Sequence, residues 1–252
     1  MPDEDLAPLA EAAGDALAAR YGPVTLTDPT LLPGSERARV FRARVRGERG
    51  RENGAPPTVI VKAPTGSGAI REPAALQVLG EAGVAVVPAL LAETAELIVM
   101  ADAGSGPSLA DRLRGDLDAA TAAVVGWAET VARLQASSVG LGPAFAAALA
   151  DRSPLGPPPV DTGAAELAGA AATLATHLPR LGVTPTEDAL DAIRALADDL
   201  DPAARALDPG DVCPDNNVET SGGLVLLDLE WTEFRHVGWV GAYLRVPWPT
   251  CW

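Results

Sequence analysis

Apolar and polar positions change their spacing several times along this chain, and each change predicts an element. Residues 4–20 carry Ala and Leu at helical intervals (LAPLAEAAGDALAAR), which predicts a packing helix. Thr25 to Leu32 opens β-branched and apolar, Pro33-Gly34-Ser35 supplies a turn, and Arg39 to Val45 then alternates as VFRARV. Together they read as a hairpin. The polar, glycine-rich stretch 47–55 predicts a mobile loop, and TVIVKA after it predicts a third strand with Lys62 near its C-terminal end. Pro73 precedes the helical run AALQVLGEAG, and two further strands are expected around Ala89 to Ala92 and over ELIVMA, 96–101. A connector, DAGSGPS, follows.

Beyond it the pattern becomes mainly helical: Leu109 to Arg114, Ala119 to Ala136, a short piece after Ser137, then Ala164 to His177 and Thr186 to Leu200, with a proline-rich break at 153–159. Strands first and helices after predict an α+β architecture. The composition shift at Asp102 to Pro107 predicts a division into residues 1–103 and 104–252. A last unit, DVCPDNNV at 211–218 followed by the strand-like LVLLDLE at 224–230, brings Asp211, Asn216 and Asp228 into one loop and strand, with Gly222-Gly223 as the reversal.

Composition narrows the function classes. The 252 residues suffice for a substantial core, and 48% hydrophobic content fits a soluble globular chain. No run approaches the roughly 20 apolar residues of a membrane span, and MPDEDLAPL lacks signal-peptide character, so the expectation is a cytoplasmic protein with no membrane partner. A formal net charge of −15 argues against a nucleic-acid partner and is compatible with a cationic small molecule. The two cysteines, Cys213 and Cys251, suggest no disulfide framework, and Cys213 reads as a small packing residue.

One count is sharper: of 19 basic residues, 18 are Arg and one, Lys62, is Lys. Where arginine serves nearly every surface position, the remaining lysine marks a place that needs a compact ammonium, such as a contact to phosphate oxygens. Glu72, ten residues on and just before Pro73, is either a helix-capping carboxylate or the ion-pair partner of Lys62. Asp211 and Asn216, five residues apart with Pro214 between, are either a solvated turn or part of a site. In the second case an amide oxygen and the Asp228 carboxylate would suit Mg²⁺, and Asp211 could take a proton from a hydroxyl. His177 reads as a residue complementing a helix C-terminus, and Trp231, Trp239, Trp248 and Trp252 as packing. Arg235-His236 could touch a substrate. The acidic residues of 187–201 form either a solvated helix face or the rim of a cationic pocket.

A strand lysine, a helix glutamate ten residues later, a connector, a helical second half, and a GDxxPxN loop followed by a strand ending in Asp resemble the aminoglycoside phosphotransferase and choline kinase group. The match runs from about Leu31 to Glu230. The resemblance implies a two-lobed protein-kinase-like fold and an ATP- and Mg²⁺-dependent transfer of the γ-phosphoryl group to a small-molecule hydroxyl. It implies Lys62 on the phosphates and paired with Glu72, the Gly34-Ser35 turn over the nucleotide, and a hinge at Val99 to Ala103, with Met100, Ala101 and Ala103 beside the base. Asp211 would be the catalytic base, and Asn216 and Asp228 the metal ligands. Leu134-Gln135 falls where the group often has Leu-His.

Two departures are visible. Pro209 stands where the group usually has a histidine two residues before the catalytic aspartate, and the chain ends 24 residues after Asp228, where relatives usually continue with helices. They leave open a nucleotide-binding pseudokinase, and a kinase acting on Ser or Thr of a peptide precursor.

Overall fold

The computed structural model describes residues 6–33, 38–64, 70–153, 163–200 and 204–245. The turn at Gly34-Ser35, most of the proline-rich break, and Trp248, Cys251 and Trp252 lie outside the described residues.

Helix α1 (Ala7–Tyr21) precedes the hairpin β1 (Thr25–Leu31) and β2 (Ala38–Arg46). Strands β3 (Thr58–Pro64), β4 (Leu90–Glu93) and β5 (Ile98–Ala101) complete an antiparallel sheet in the order β1-β2-β3-β5-β4. The period-2 alternation gives the sheet two apolar faces. Phe41, Val59, Val61 and Val99 bury one face against Ala13, Leu17 and Tyr21 of α1. Ile60, Ile98 and Met100 turn the other way, toward α3 (Arg71–Glu81) and the helical part of the chain. Lys62 lies two residues after Ile60 on β3, hence on the same face, and pairs in register with Ile98, so the strand delivers its ammonium to that second face.

The expectation of a mobile loop over 47–55 is corrected. Glu48–Glu52 forms a short helix, α2, because Gly50 lets it approach Val24 and the Asn53 side chain donates to the Tyr21 carbonyl at 2.9 Å. Polarity alone did not reveal those anchors.

The helical part contains α4 (Leu109–Leu113), α5 (Leu117–Ser138), α6 (Gly142–Arg152), α7 (Ala164–His177) and α8 (Glu187–Asp199). Ser108 and Asp111 start α4 with a reciprocal capping box, and the Asp116 side chain caps α5. Trp127, Leu134, Phe145 and Leu149 form its core with α3. Arg152 of α6 grips the sheet side through a bidentate pair to Glu93 (2.7 and 2.6 Å) and a bond to Gln77 (2.8 Å). The acidic residues Glu187, Asp188 and Asp191 of α8 are exposed, which is the solvated-face reading.

Two small antiparallel pairs carry the loops of interest. β6 (Arg205–Asp208) pairs with β9 (Glu233–His236), and β7 (Asn217–Thr220) with β8 (Gly223–Leu226). Asp228 therefore follows β8 rather than ending it. The packing expectation for Trp231 holds only in part, since the residue is 48% exposed.

Candidate active site

Lys62, Glu72 and Asp228 meet where the sheet faces the helical part. The Lys62 Nζ lies 2.7 Å from Glu72 Oε2, 2.5 Å from Asp228 Oδ1 and 3.4 Å from Glu230 Oε2. Lys62 and Glu72 are 5% and 4% exposed, so the pairing takes place out of water. Burial works against the charged amine, but Glu72 and Asp228 outweigh it and hold Lys62 well above its ordinary value. Glu72 is pushed upward, chiefly by burial and against the pull of Lys62. Of the two readings of Glu72, the ion pair is the observed one, although the residue also sits in the first turn of α3.

Glu72 has a second partner. Its Oε1 accepts the Leu229 amide at 3.2 Å, so one carboxylate joins the strand lysine to the backbone that follows Asp228. Asp228 itself has φ 59°, a left-handed conformation uncommon outside glycine and enriched among Asp and Asn. Such backbone persists where its surroundings over-determine it, and it clusters at functional sites.

The Asp211 loop is built around the next strand pair. The Asp211 Oδ1 accepts the Cys213 amide at 3.2 Å, and Asn216 donates its side-chain amide to the Asp211 carbonyl at 3.3 Å. Asn216 also accepts the Leu227 amide on its backbone carbonyl at 2.9 Å, which sets the loop beside Asp228. With the Asn216 amide nitrogen donating to the Asp211 carbonyl, Oδ1 is the side-chain atom that would remain for a ligand. Its buried neighbour Asn217 accepts the Leu109 amide (2.8 Å) and donates to the Pro214 carbonyl (3.0 Å), tying the loop to α4. Cys213 is disulfide-bonded, which corrects both the expectation of no disulfide and its reading as a simple packing residue.

Met100 is buried on the face that carries Lys62, Ala101 ends β5, and Ala103 follows in the connector. The Ala101 amide already donates to the Ala89 carbonyl at 2.9 Å. Arg42 of β2 pins the connector: its guanidinium donates to both Asp102 oxygens (2.7 and 2.9 Å) and to the Gly104 carbonyl (2.6 Å). Burial would raise the Asp102 carboxyl, but the bonds from Arg42, Gly104 and Thr58 prevail and hold it below its ordinary range. Arg235 is buried in β9 and bonds Glu166 at 2.8 Å, with its guanidinium 5.2 Å from the Trp239 ring. Glu230, Asn217 and the Arg42–Asp102 clamp were not singled out from sequence; Glu230 lay in view two residues after Asp228.

Among the described residues no helix is long and apolar enough to cross a membrane, and no group of three His, Cys, Asp or Glu is arranged to hold a metal. The donors available to a cation are one carboxylate and one amide oxygen. Such a hard-oxygen set fits Mg²⁺, which takes the rest of its shell from waters and phosphates. A groove of about 390 Å³ between α4, α5 and the β7–β8 hairpin, floored by Leu109, Trp127 and Leu224, includes none of these residues.

No family model and no curated protein matches this sequence. Solved structures do match the fold. The GDP and kanamycin complex of APH(2")-IIia superposes with a TM-score of 0.56 at 14% identity, covering 92% of this chain and 77% of that one. The macrolide 2'-phosphotransferase MphH from Brachybacterium faecium, an apoenzyme, gives 0.55 at 19% identity over 90% and 74% of the two chains. The streptomycin–ATP ternary complex of APH(2")-IIa gives 0.53 at 11% identity over 94% and 74%. With its five-stranded sheet, its connector and its helical part, the chain has the protein-kinase-like fold that these phosphotransferases share.

Proposed function

We propose that this protein is an ATP-dependent phosphotransferase that moves the γ-phosphoryl group onto a hydroxyl of a small molecule, with Mg²⁺ as its metal. The observation that carries this reading is the junction of Lys62, Glu72 and Asp228: the chain's single lysine, buried and held charged, beside a carboxylate in left-handed backbone. Support comes from the nucleotides and acceptors named for the similar structures, ATP with streptomycin and GDP with kanamycin.

In this reading residues 1–103 hold the nucleotide and residues 104–252 the acceptor. Lys62 contacts the phosphates, with Glu72 fixing its direction. Met100, Ala101 and Ala103 flank the base. Asn216 and Asp228 would hold the cation, which when bound neutralises phosphate charge. Asp211 orients the acceptor hydroxyl and receives its proton. Little covalent chemistry is asked of the side chains, so rate comes from positioning and charge complementarity. A net charge of −15 favours a cationic acceptor.

The test is transfer of radiolabel from γ-labelled ATP to a panel of aminoglycosides, macrolides and hydroxylated amines, with Asp211→Ala as control. Labelled acceptor that appears with the wild type and disappears with the control supports the reading. The direct pairing of Lys62 with Asp228, together with Pro209 before the catalytic loop, favours one rival, a pseudokinase. ATP binding without consumption in the presence of every acceptor would select that rival.

A further inference from the structure

Three residues before Asp211, the structure buries a second carboxylate that the proposed reaction does not use. Asp208 is 2% exposed, at the end of β6 where it pairs with Glu233 of β9. Its Oδ2 is buried with no hydrogen-bond partner, and the nearest cation, Arg235, lies 4.0 Å from Oδ1. A carboxylate held this way is expensive, and an apolar residue of similar size would serve the core better.

The hydrogen bonds around it show what the carboxylate does. Asp208 Oδ1 accepts the Gly210 amide at 2.8 Å, and its backbone carbonyl accepts the Thr232 hydroxyl at 2.6 Å. Pro209 has no amide to satisfy, and its ring fixes its own φ. Its carbonyl accepts the Asp211 amide at 3.1 Å. Gly210 takes φ 83°, and a Cβ there would collide with the Trp231 carbonyl. Every amide between Asp208 and Asp211 is thus committed, and the one on Gly210 is held by a side chain.

We propose that Asp208 is a positioning residue for Asp211: its buried Oδ1 holds the Gly210 amide and thereby fixes the turn that presents the Asp211 carboxylate. This rests on reading Asp211 as the proton acceptor. The surroundings agree with a shared microenvironment, since Tyr243 is shifted upward by burial and then by the nearby charges of Asp208 and Asp211.

The experiment compares wild type, Asp208→Leu and Asp208→Asn. Leucine suits a dry position but accepts nothing; asparagine keeps an acceptor oxygen and loses the charge. Two readouts are taken: exchange of the Gly210 amide by NMR in the nucleotide-free protein, and kcat and KM for ATP with one acceptor. Losing a buried hydrogen bond to a charged group predicts about 10- to 100-fold faster exchange at Gly210 and a kcat about 10- to 100-fold lower with Asp208→Leu, while KM for ATP stays within about twofold. Asp208→Asn should return both to within about threefold of wild type. Unchanged Gly210 exchange in Asp208→Leu, or a fall in KM and kcat together, overturns the proposal. So does an Asn variant as impaired as Leu, because charge and not the acceptor would then be responsible. If Asp208→Leu does not fold, Asp208→Ala, which has no side-chain acceptor, takes its place. If the wild type transfers phosphate to nothing, the function proposed above fails, while the exchange readout still decides whether Asp208 holds the turn.

Discussion

Glu72 Oε1 accepts the amide of Leu229 at 3.2 Å across a sequence separation of 157 residues. With its other oxygen on Lys62, this single carboxylate fixes helix α3, strand β3 and the backbone after Asp228 in one arrangement. Removing it leaves the Leu229 amide without its acceptor and takes from the buried Lys62 ammonium its most buried carboxylate partner. Glu72→Ala should therefore lower unfolding free energy by about 3 kcal/mol, the usual consequence of breaking a buried pair. Urea denaturation measures it, and a variant as stable as wild type would show that the pair does not form in solution. Glu72→Gln keeps an acceptor for Leu229 and should lose less.

The φ of 59° at Asp228 separates two roles of that residue. Asparagine also tolerates left-handed backbone, so Asp228→Asn should keep this backbone turn while losing the charge that faces Lys62 and that would, in the proposed reaction, face a cation. Calorimetry should find ATP binding insensitive to Mg²⁺ in this variant and strengthened by Mg²⁺ in wild type. Equal Mg²⁺ dependence in both would remove Asp228 from the metal site.

Among the described residues the Asp211 carboxylate accepts one hydrogen bond, from the Cys213 amide, which leaves it able to meet a hydroxyl. Asp211→Ala should lower turnover by about 10²- to 10⁴-fold, the span of a lost general base, with ATP affinity nearly intact. Turnover at the wild-type level would exclude the residue from the chemistry.

Burial raises Asp208 to about 6, against the pull of the Gly210 amide and Arg235. Between about pH 4 and pH 6 the folded chain keeps a proton that the unfolded chain has released. Stability from this group is thus complete below the unfolded value, falls as pH rises through that window, and levels off above pH 6. The shift corresponds to about 3 kcal/mol. Denaturation of wild type and Asp208→Asn at pH 4, 5, 6 and 7 should show wild type losing ground to the variant across the window and no further above it. Parallel curves would place Asp208 in a wetter setting than the structure gives it.

Much of this architecture was legible because its signals are local. Alternation in VFRARV, the run TVIVKA and helical spacing in the second half each specify an element within a few residues. Lys62 stood out by composition, and Glu72 by its distance from Lys62 and its place before Pro73. What escaped notice depends on partners distant in sequence. Arg42 reads as one more arginine of an alternating strand until Asp102, 60 residues away, is seen against it. Asp208 resembles a turn residue before Pro209-Gly210, and its burial beside Glu233, 25 residues on, is seen only in the fold. The helix at Glu48–Glu52 is held by Val24 and Tyr21, neither of which can be inferred from a polar, glycine-rich stretch.

The connector has a mechanical consequence. Upstream, Arg42 fastens Asp102 and Gly104 to the sheet. Downstream, the Pro107 carbonyl accepts the Glu219 amide at 2.9 Å, and Gly106 lies so close to the Glu219 carbonyl that a Cβ would collide with it. Between two such anchorages Ser105 and the bonds flanking it are the span left to turn. Any swing of the sheet relative to the helices is thereby confined to a pivot about one residue long. A hinge this short sets a direction for the motion as well as a limit, so opening of the cleft should follow a single arc rather than a loose, many-angled drift.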